Sequence, residues 1–227
     1  MSGKSVAVVL TSGGLDSCVT AAIAAKDHLL ALMHATYGQR TAARERQAFE
    51  QIADHYQVAP ERRLVLDISF LAAIGGSALT DRRIEVPEGT PGTGIPVTYV
   101  PFRNAHLLAS GVSWAEVLGA REVYIGAVEE DSSGYPDCRD VFIKAFEQAI
   151  QLGTAAGTSL VLRTPLIHSN KAQIVARGVA LKAPLHLTWS CYQRETLACG
   201  RCESCYLRLK GFREAGVVDP IPYEAAR

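Results

Sequence analysis

Two short stretches carry the residues best placed for chemistry. The first, "VAVVLTSGGLDSCVT", breaks an aliphatic run after Leu10 and continues as Thr11, Ser12, Gly13, Gly14, Leu15, Asp16 and Ser17. Glycines at 13 and 14 let backbone approach an anion with no Cβ in the way. Ser12 and Ser17 add hydroxyl donors, and N–H groups at a helix start favour negative charge. On this spacing a phosphate cradle and an ordinary Gly-Gly turn are both open. Neither the lysine of G-x-x-x-x-G-K-[ST] nor the three-glycine dinucleotide spacing is there to decide. Asp16 is open in the same way, as an acid favoured by the helix dipole or as a ligand to magnesium.

The second stretch is "CYQRETLACGRCESC", with Cys191, Cys199, Cys202 and Cys205. Four thiolates fill a tetrahedral zinc ion and leave no open position, so the site reads as structural and not hydrolytic. A redox dithiol needs only two of these cysteines, and paired disulfides do not suit a reducing compartment. Cys18 and Cys138 fall outside the set: Cys18 packs within the first helix, whereas Cys138 sits in a polar loop and is harder to set aside.

That loop, "GAVEEDSSGYPDCRD", holds Glu129, Glu130, Asp131, Asp137, Arg139 and Asp140. A turn built on Gly134 and Pro136 is the plain reading, and a functional loop at a sheet edge the sharper one. Gln39 and Arg40 of "TYGQR" and Arg103 of "YVPFRN" punctuate the same edge. Arg103 either pairs with a surface carboxylate, at little gain, or forks a carboxylate or phosphate.

The elements that would position these groups alternate. Val6 to Leu10 reads as a buried strand, Leu15 to Ala25 as a helix, Leu29 to Thr36 as a strand and Ala42 to Tyr56 as an amphipathic helix. Strands follow at Leu64 to Ile68, Val123 to Val128 and Leu160 to Arg163. Helices follow from Asn104, as a cap, to about Leu118, from Val141 to Leu152, and from Lys171 to Ala180 with Ser169 or Asn170 as cap. Residues 75 to 96 turn to Gly, Pro, Thr and charge, an excursion or lid. The pattern is an α/β doubly wound, mostly parallel five-stranded sheet of Rossmann-like type, which binds ligands beyond the carboxyl ends of its strands.

Composition narrows the classes. The chain has 227 residues, and its 23 Lys plus Arg equal its 23 Asp plus Glu, which argues against a polyelectrolyte partner; no nucleic acid is expected. The apolar run near the N-terminus is too short for a signal peptide, and no stretch of about 18 apolar residues exists to span a bilayer. A cytoplasmic protein with no membrane contact is expected.

The "SGGLDS" loop resembles the pyrophosphate loop of the N-type ATP pyrophosphatases, the PP-loop superfamily, which attach AMP to a substrate oxygen and release pyrophosphate. Together with "YGQR", "ALT", "YVPFRN", "SGYPDCRD", "TPL" and "NKA", "SCY" and "CGRCESC", it resembles the 7-cyano-7-deazaguanine synthase family of queuosine biosynthesis. That resemblance implies an ATP-dependent carbon–nitrogen ligase acting on 7-carboxy-7-deazaguanine and ammonia, with free ammonia as the nitrogen source. It implies Thr11 to Ser17, with Gln39 and Arg40, around ATP and its Mg2+. One structural Zn2+ per chain would sit on Cys191, Cys199, Cys202 and Cys205. Asp16, Arg103, Asp131, Asp137 and Arg139 are the catalytic candidates, the last three for the deazaguanine edge or proton handling. Residues 1–185 would form the ATP-binding domain and 186–227 a zinc module packed on it, in a homodimer. Three positions depart from the family pattern: Phe102 stands where glycine is usual, Ser132 where an aromatic is common, and Gln173 where an acid follows "NKA". An RNA-modifying relative with the same loop, its cysteines holding an iron–sulfur cluster or carrying sulfur, is the alternative. A non-catalytic zinc-ribbon module on a degenerate nucleotide fold is a third.

Overall fold

The computed structural model describes residues 3–90, 92, 94–129, 134–155 and 159–225. Five parallel strands, β1 (Val6–Leu10), β2 (Leu29–Thr36), β3 (Arg63–Asp67), β4 (Glu122–Ile125) and β5 (Val161–Arg163), lie in the order β3-β2-β1-β4-β5. Strand β1 is central, and pairing places Val8 beside Ala31 on one side and Val123 on the other. Its aliphatic run is buried on both faces, as a parallel sheet covered by helices requires. Alternate side chains divide between two cores. Ala7 and Val9 join α1 (Leu15–Ala24) and α2 (Ala42–His55) through Cys18, Ala21, Phe49 and Ile52. Val8 and Leu10 join α4 (Arg103–Leu118) and α5 (Asp140–Gly153) through Leu108, Val112, Ile143 and Ile150. Truncating one of these buried aliphatics to Ala costs about 2–5 kcal/mol.

Three local outcomes differ from the sequence reading. Strand β4 ends at Ile125, not Val128, because the chain turns at Gly126 to pass the start of α1. A Cβ at Gly126 would stand 2.9 Å from the Asp16 carbonyl carbon and 3.0 Å from the Ser17 nitrogen. Helix α4 begins at Arg103, and Asn104 is inside it. The cap comes from across the fold, where Asp137 Oδ2 accepts the Asn104 N–H at 2.8 Å. The described part of the 75–96 excursion, which follows the short α3 (Phe70–Ile74), is strapped down. Gly89 N–H donates to the Arg201 carbonyl at 2.8 Å, and Val86 is buried beside the cysteines. The cap of α6 (Lys171–Ala180) is as expected: Asn170 and Gln173 form a reciprocal capping box, in which the Gln173 amide oxygen accepts as an acid there would.

The C-terminal helix α7 (Glu203–Glu214) packs into the same body. Its Phe212 joins Leu15, Val19, Ile174 and Val175. Arg208, 1% exposed, forks Asp219 at 2.8 and 2.9 Å and donates to Thr188 Oγ1 at 2.7 Å. A buried guanidinium needs this degree of pairing, since either partner alone would be an uncompensated charge. No helix among the described residues is long and apolar enough to cross a membrane.

Candidate active site

The carboxyl ends of β1, β2 and β4 open onto one cavity, at the point where the strand order reverses between β1 and β4. At its floor the chain leaves β1 through Thr11, whose N–H still donates to the Met33 carbonyl at 2.7 Å. Gly13 then takes φ +88°, and a Cβ there would meet the Glu45 carbonyl oxygen at 2.5 Å. No other residue fits both the backbone conformation and the space. The Trp189 N–H holds the Gly13 carbonyl at 2.9 Å. From Gly14 the chain enters α1, where Cys18 N–H is bonded to the Gly14 carbonyl at 3.1 Å. The amides before Cys18, at Leu15, Asp16 and Ser17, have no intrahelical acceptor, and the helix dipole makes their end positive. Ser12 Oγ and Ser17 Oγ lie 3.1 Å apart beside them. The turn therefore presents amides and hydroxyls to an anion, with no bulky side chain in the way.

Asp16 supplies the counter-charge. Lys171, first residue of α6, reaches Asp16 Oδ2 at 2.5 Å, whereas the buried Asp16 Oδ1 has no hydrogen-bond partner. A buried carboxylate oxygen left without a donor is uncommon and calls for a ligand. A divalent cation carried in with phosphates fits that oxygen.

The far end of the cavity is aromatic and acidic. Arg103 donates to Tyr37 Oη at 3.1 Å, and its guanidinium lies 5.3 Å from the Tyr37 ring centroid and 6.0 Å from that of Tyr135. Burial raises the Tyr37 phenol above its ordinary value, so it remains a neutral hydroxyl. Glu45 also lines the cavity, and its oxygens accept from Thr41 Oγ1 at 2.8 Å and Gln39 Nε2 at 3.0 Å. Burial pushes Glu45 upward, while those two hydrogen bonds partly restore the charge. Phe102, before Arg103, holds φ +57°, a left-handed conformation that favours glycine, and its N–H donates to Tyr99 Oη at 2.8 Å. Its ring stands 55% exposed against Phe142, 5.9 Å away, so its bulk points off the turn.

Thr11, Ser12, Gly14, Leu15, Asp16 and Ser17 thus share the cavity with Arg103, and Gly13 supports the turn from behind. Gln39 and Arg40 do not line it. Gln39 is committed to Tyr37 N–H and Glu45, and Arg40 donates to the carbonyls of Ala78, Asp81 and Ile84, fastening the excursion. Asp137 lies one layer behind, on Asn104, and burial raises its carboxyl. Arg139 is exposed and donates to the Pro136 carbonyl at 3.1 Å. Asp131 and Ser132 lie outside the described residues. Cys138 does line the cavity, but burial pushes its thiol up to about 11, and it takes a hydrogen bond from Asn104 Nδ2, so it is no ready nucleophile. The sequence reading missed Lys171, Tyr37, Glu45 and Glu203. For Lys171 the available signal was a basic residue directly after a helix-capping Asn in "NKA".

The second centre is compact. Sγ atoms of Cys191, Cys199, Cys202 and Cys205 all lie within 4.8 Å of one another, and all four residues are buried. The N–H groups of Gln193, Arg194 and Cys199 point at Cys191 Sγ, and those of Arg201 and Cys202 at Cys199 Sγ, at 3.2–3.4 Å. Hydrogen bonds from the Cys202 and Cys205 thiols, then backbone donors, draw the Cys191 thiol down against burial. Such donors favour thiolates, the form that binds metal. The set can hold one metal ion with no position left for substrate.

A parallel sheet with an anion-receiving glycine turn at its switch point, and an acid–lysine pair beside it, defines a Rossmann-like α/β protein with a site suited to a phosphate-bearing ligand. The family model described as "Queuosine biosynthesis protein QueC" matches residues 6–216, and the chain belongs to that family. Among curated relatives, one from Chlorobaculum parvum is 56% identical over 220 residues, spanning 96% of both chains. One from Koribacter versatilis is 55% identical over 222 residues, spanning 96% of this chain and 92% of the relative. One from Chlorobaculum tepidum is 54% identical over 220 residues, again 96% of both. Each is named 7-cyano-7-deazaguanine synthase. These matches decide between the synthase and the two other readings that the sequence left open.

Proposed function

We propose that this chain is an ATP-dependent ligase that converts 7-carboxy-7-deazaguanine and ammonia into 7-cyano-7-deazaguanine in queuosine biosynthesis. One observation carries the proposal: a phosphate-receiving turn with the Asp16–Lys171 pair shares a cavity with an arginine set among tyrosines. The substrate carboxylate resists ammonia because its leaving group would be oxide. Its oxygen therefore attacks the α-phosphorus of ATP, giving an acyl adenylate and pyrophosphate; ammonia displaces AMP and leaves the amide. The amide oxygen is adenylated in turn, and loss of AMP and a proton gives the nitrile. Two rounds of one activation need only one ATP site.

Within that sequence the amides of Leu15 to Ser17 and the hydroxyls of Ser12 and Ser17 hold the departing pyrophosphate. Lys171 neutralises it, and Arg103 orients the carboxylate. Mg2+ on Asp16 Oδ1 would supply further charge neutralisation at the phosphates. Zn2+ would sit on the four cysteines: at Zn–S distances of about 2.3 Å the sulfurs of a tetrahedron stand ~3.8 Å apart, and Cys199 and Cys205 are 3.9 Å apart. It would be structural, with 186–227 as its module against 1–185. Gln39 and Arg40 support the cavity wall, and Asp137 and Arg139 the loop that caps α4. The enzyme works on small molecules in the cytoplasm, as a homodimer. Balanced charge supports the first point, and exposed Phe102 and Val141 near the start of α4 and α5 offer an apolar face for the last. The test is incubation with ATP, ammonium and 7-carboxy-7-deazaguanine, with GMP- and NAD-type acids in parallel. A nitrile detected by mass is expected; AMP release with the parallel acids alone would contradict the proposal.

A further inference from the structure

Three carboxylates line the cavity among the described residues: Asp16, Glu45 and Glu203. Asp16 is paired with Lys171 at the phosphate end, and Glu45 has each oxygen occupied by a donor of the chain itself. Glu203 is different. It is 4% exposed, and its carboxylate receives one side-chain hydrogen bond, from Thr98 Oγ1 to Oε2 at 3.4 Å. No cation pairs with it among the described residues. A carboxylate has room for about four donors, and Glu203, which lines the cavity with one side-chain donor on Oε2, keeps acceptor capacity for a ligand there.

Its surroundings say what kind. Tyr37, Tyr135 and Tyr192 line the same cavity and offer flat apolar walls with polar tips, suited to a planar heterocycle. Tyr135 Oη donates to Thr98 Oγ1 at 3.0 Å, which leaves the Thr98 proton for Glu203 and fixes the carboxylate against the aromatic wall. We infer that Glu203 is the specificity residue for the base, its two oxygens accepting the ring N–H and the exocyclic amine on the pyrimidine edge of a guanine-type heterocycle. Those donors lie side by side on one edge, and a carboxylate is the side chain whose two acceptors match them. Arg103, in the same cavity, is then left for the carboxyl group at the other side of the ring. The inference rests on the proposed function and adds to it the atoms that choose the substrate.

The experiment compares 7-carboxy-7-deazaguanine with its analogue lacking the exocyclic amine, in the wild type, Glu203→Gln and Thr98→Val, with metal content and melting temperature checked for each. Because Glu203 lies between Cys202 and Cys205, Thr98→Val provides a second handle away from the cysteines. In the wild type the analogue should show a KM roughly 10- to 100-fold higher than the parent acid, the loss of one charge-assisted hydrogen bond. Glu203→Gln should raise the KM for the parent acid by a similar factor, leave the KM for ATP within about threefold, and bring parent and analogue close together. Thr98→Val should do the same more weakly, by about threefold. A wild type that treats parent and analogue alike would overturn the assignment, as would metal-loaded variants with an unchanged KM for the acid. If the wild type makes no nitrile, the functional reading fails and this one with it; if it makes nitrile while discrimination is unaffected by either substitution, only the role of Glu203 fails.

Discussion

At one end of the cavity, Thr11 through Ser17 form a single turn that acts through backbone amides and small hydroxyls. At the other, Tyr37, Arg103, Tyr135 and Glu203 are brought together from widely separated segments and line the cavity with side chains. The first end depends on one conformation, fixed by Gly13 and by the Trp189 N–H that grips it. The second depends on many hydrogen bonds being matched at once. A common anion can be recognised by a short local motif, whereas a particular heterocycle requires the whole fold.

That contrast breaks first, and furthest, at Asp16. Asp16→Asn removes the charge that answers Lys171 and, in the proposed reaction, the cation on the phosphates, and turnover should fall by on the order of 10³-fold with melting temperature little changed. Steady-state rates and a thermal scan measure both, and near-normal turnover would make the phosphate end no more than a helix start. Gly13→Ala attacks the conformation itself: the left-handed φ and the 2.5 Å approach to the Glu45 carbonyl should cost about 2–4 kcal/mol of stability, read by denaturant unfolding. Arg103→Lys tests the other end. A lysine lacks the planar fork, so the KM for the acid should rise about tenfold and that for ATP far less; the opposite pattern would move Arg103 to the nucleotide. The smallest effect is expected at Asp137→Asn. An amide oxygen can still accept the Asn104 N–H, so stability and rate should change by less than about 1 kcal/mol. A large loss of rate would return Asp137 to the chemistry.

The same contrast explains what could be read from the residues alone. Strand and helix alternation, the "SGGLDS" turn and the four cysteines are local patterns, and all appear in the structure, with element ends shifted at β3, β4 and α4. Lys171 meets Asp16 across 155 residues of chain, a proximity that no local spacing shows. Glu203 is hidden inside the cysteine motif, where it reads as filler between ligands. Gln39 and Arg40 looked available for ATP because a sequence shows that donors exist but not where they are spent; here they go to Glu45 and three backbone carbonyls. Asn104 looked like a cap because it precedes an apolar helix, yet the carboxylate that does the capping, Asp137, arrives from 33 residues later.

The central claim is that this cavity mounts AMP on an oxygen of the substrate. Supplying 7-carboxy-7-deazaguanine with both carboxyl oxygens as oxygen-18, and weighing the nucleotide products, tests it directly. The account predicts two AMP per nitrile, each carrying one heavy oxygen. Label found in orthophosphate or water, with unlabelled AMP, would contradict it.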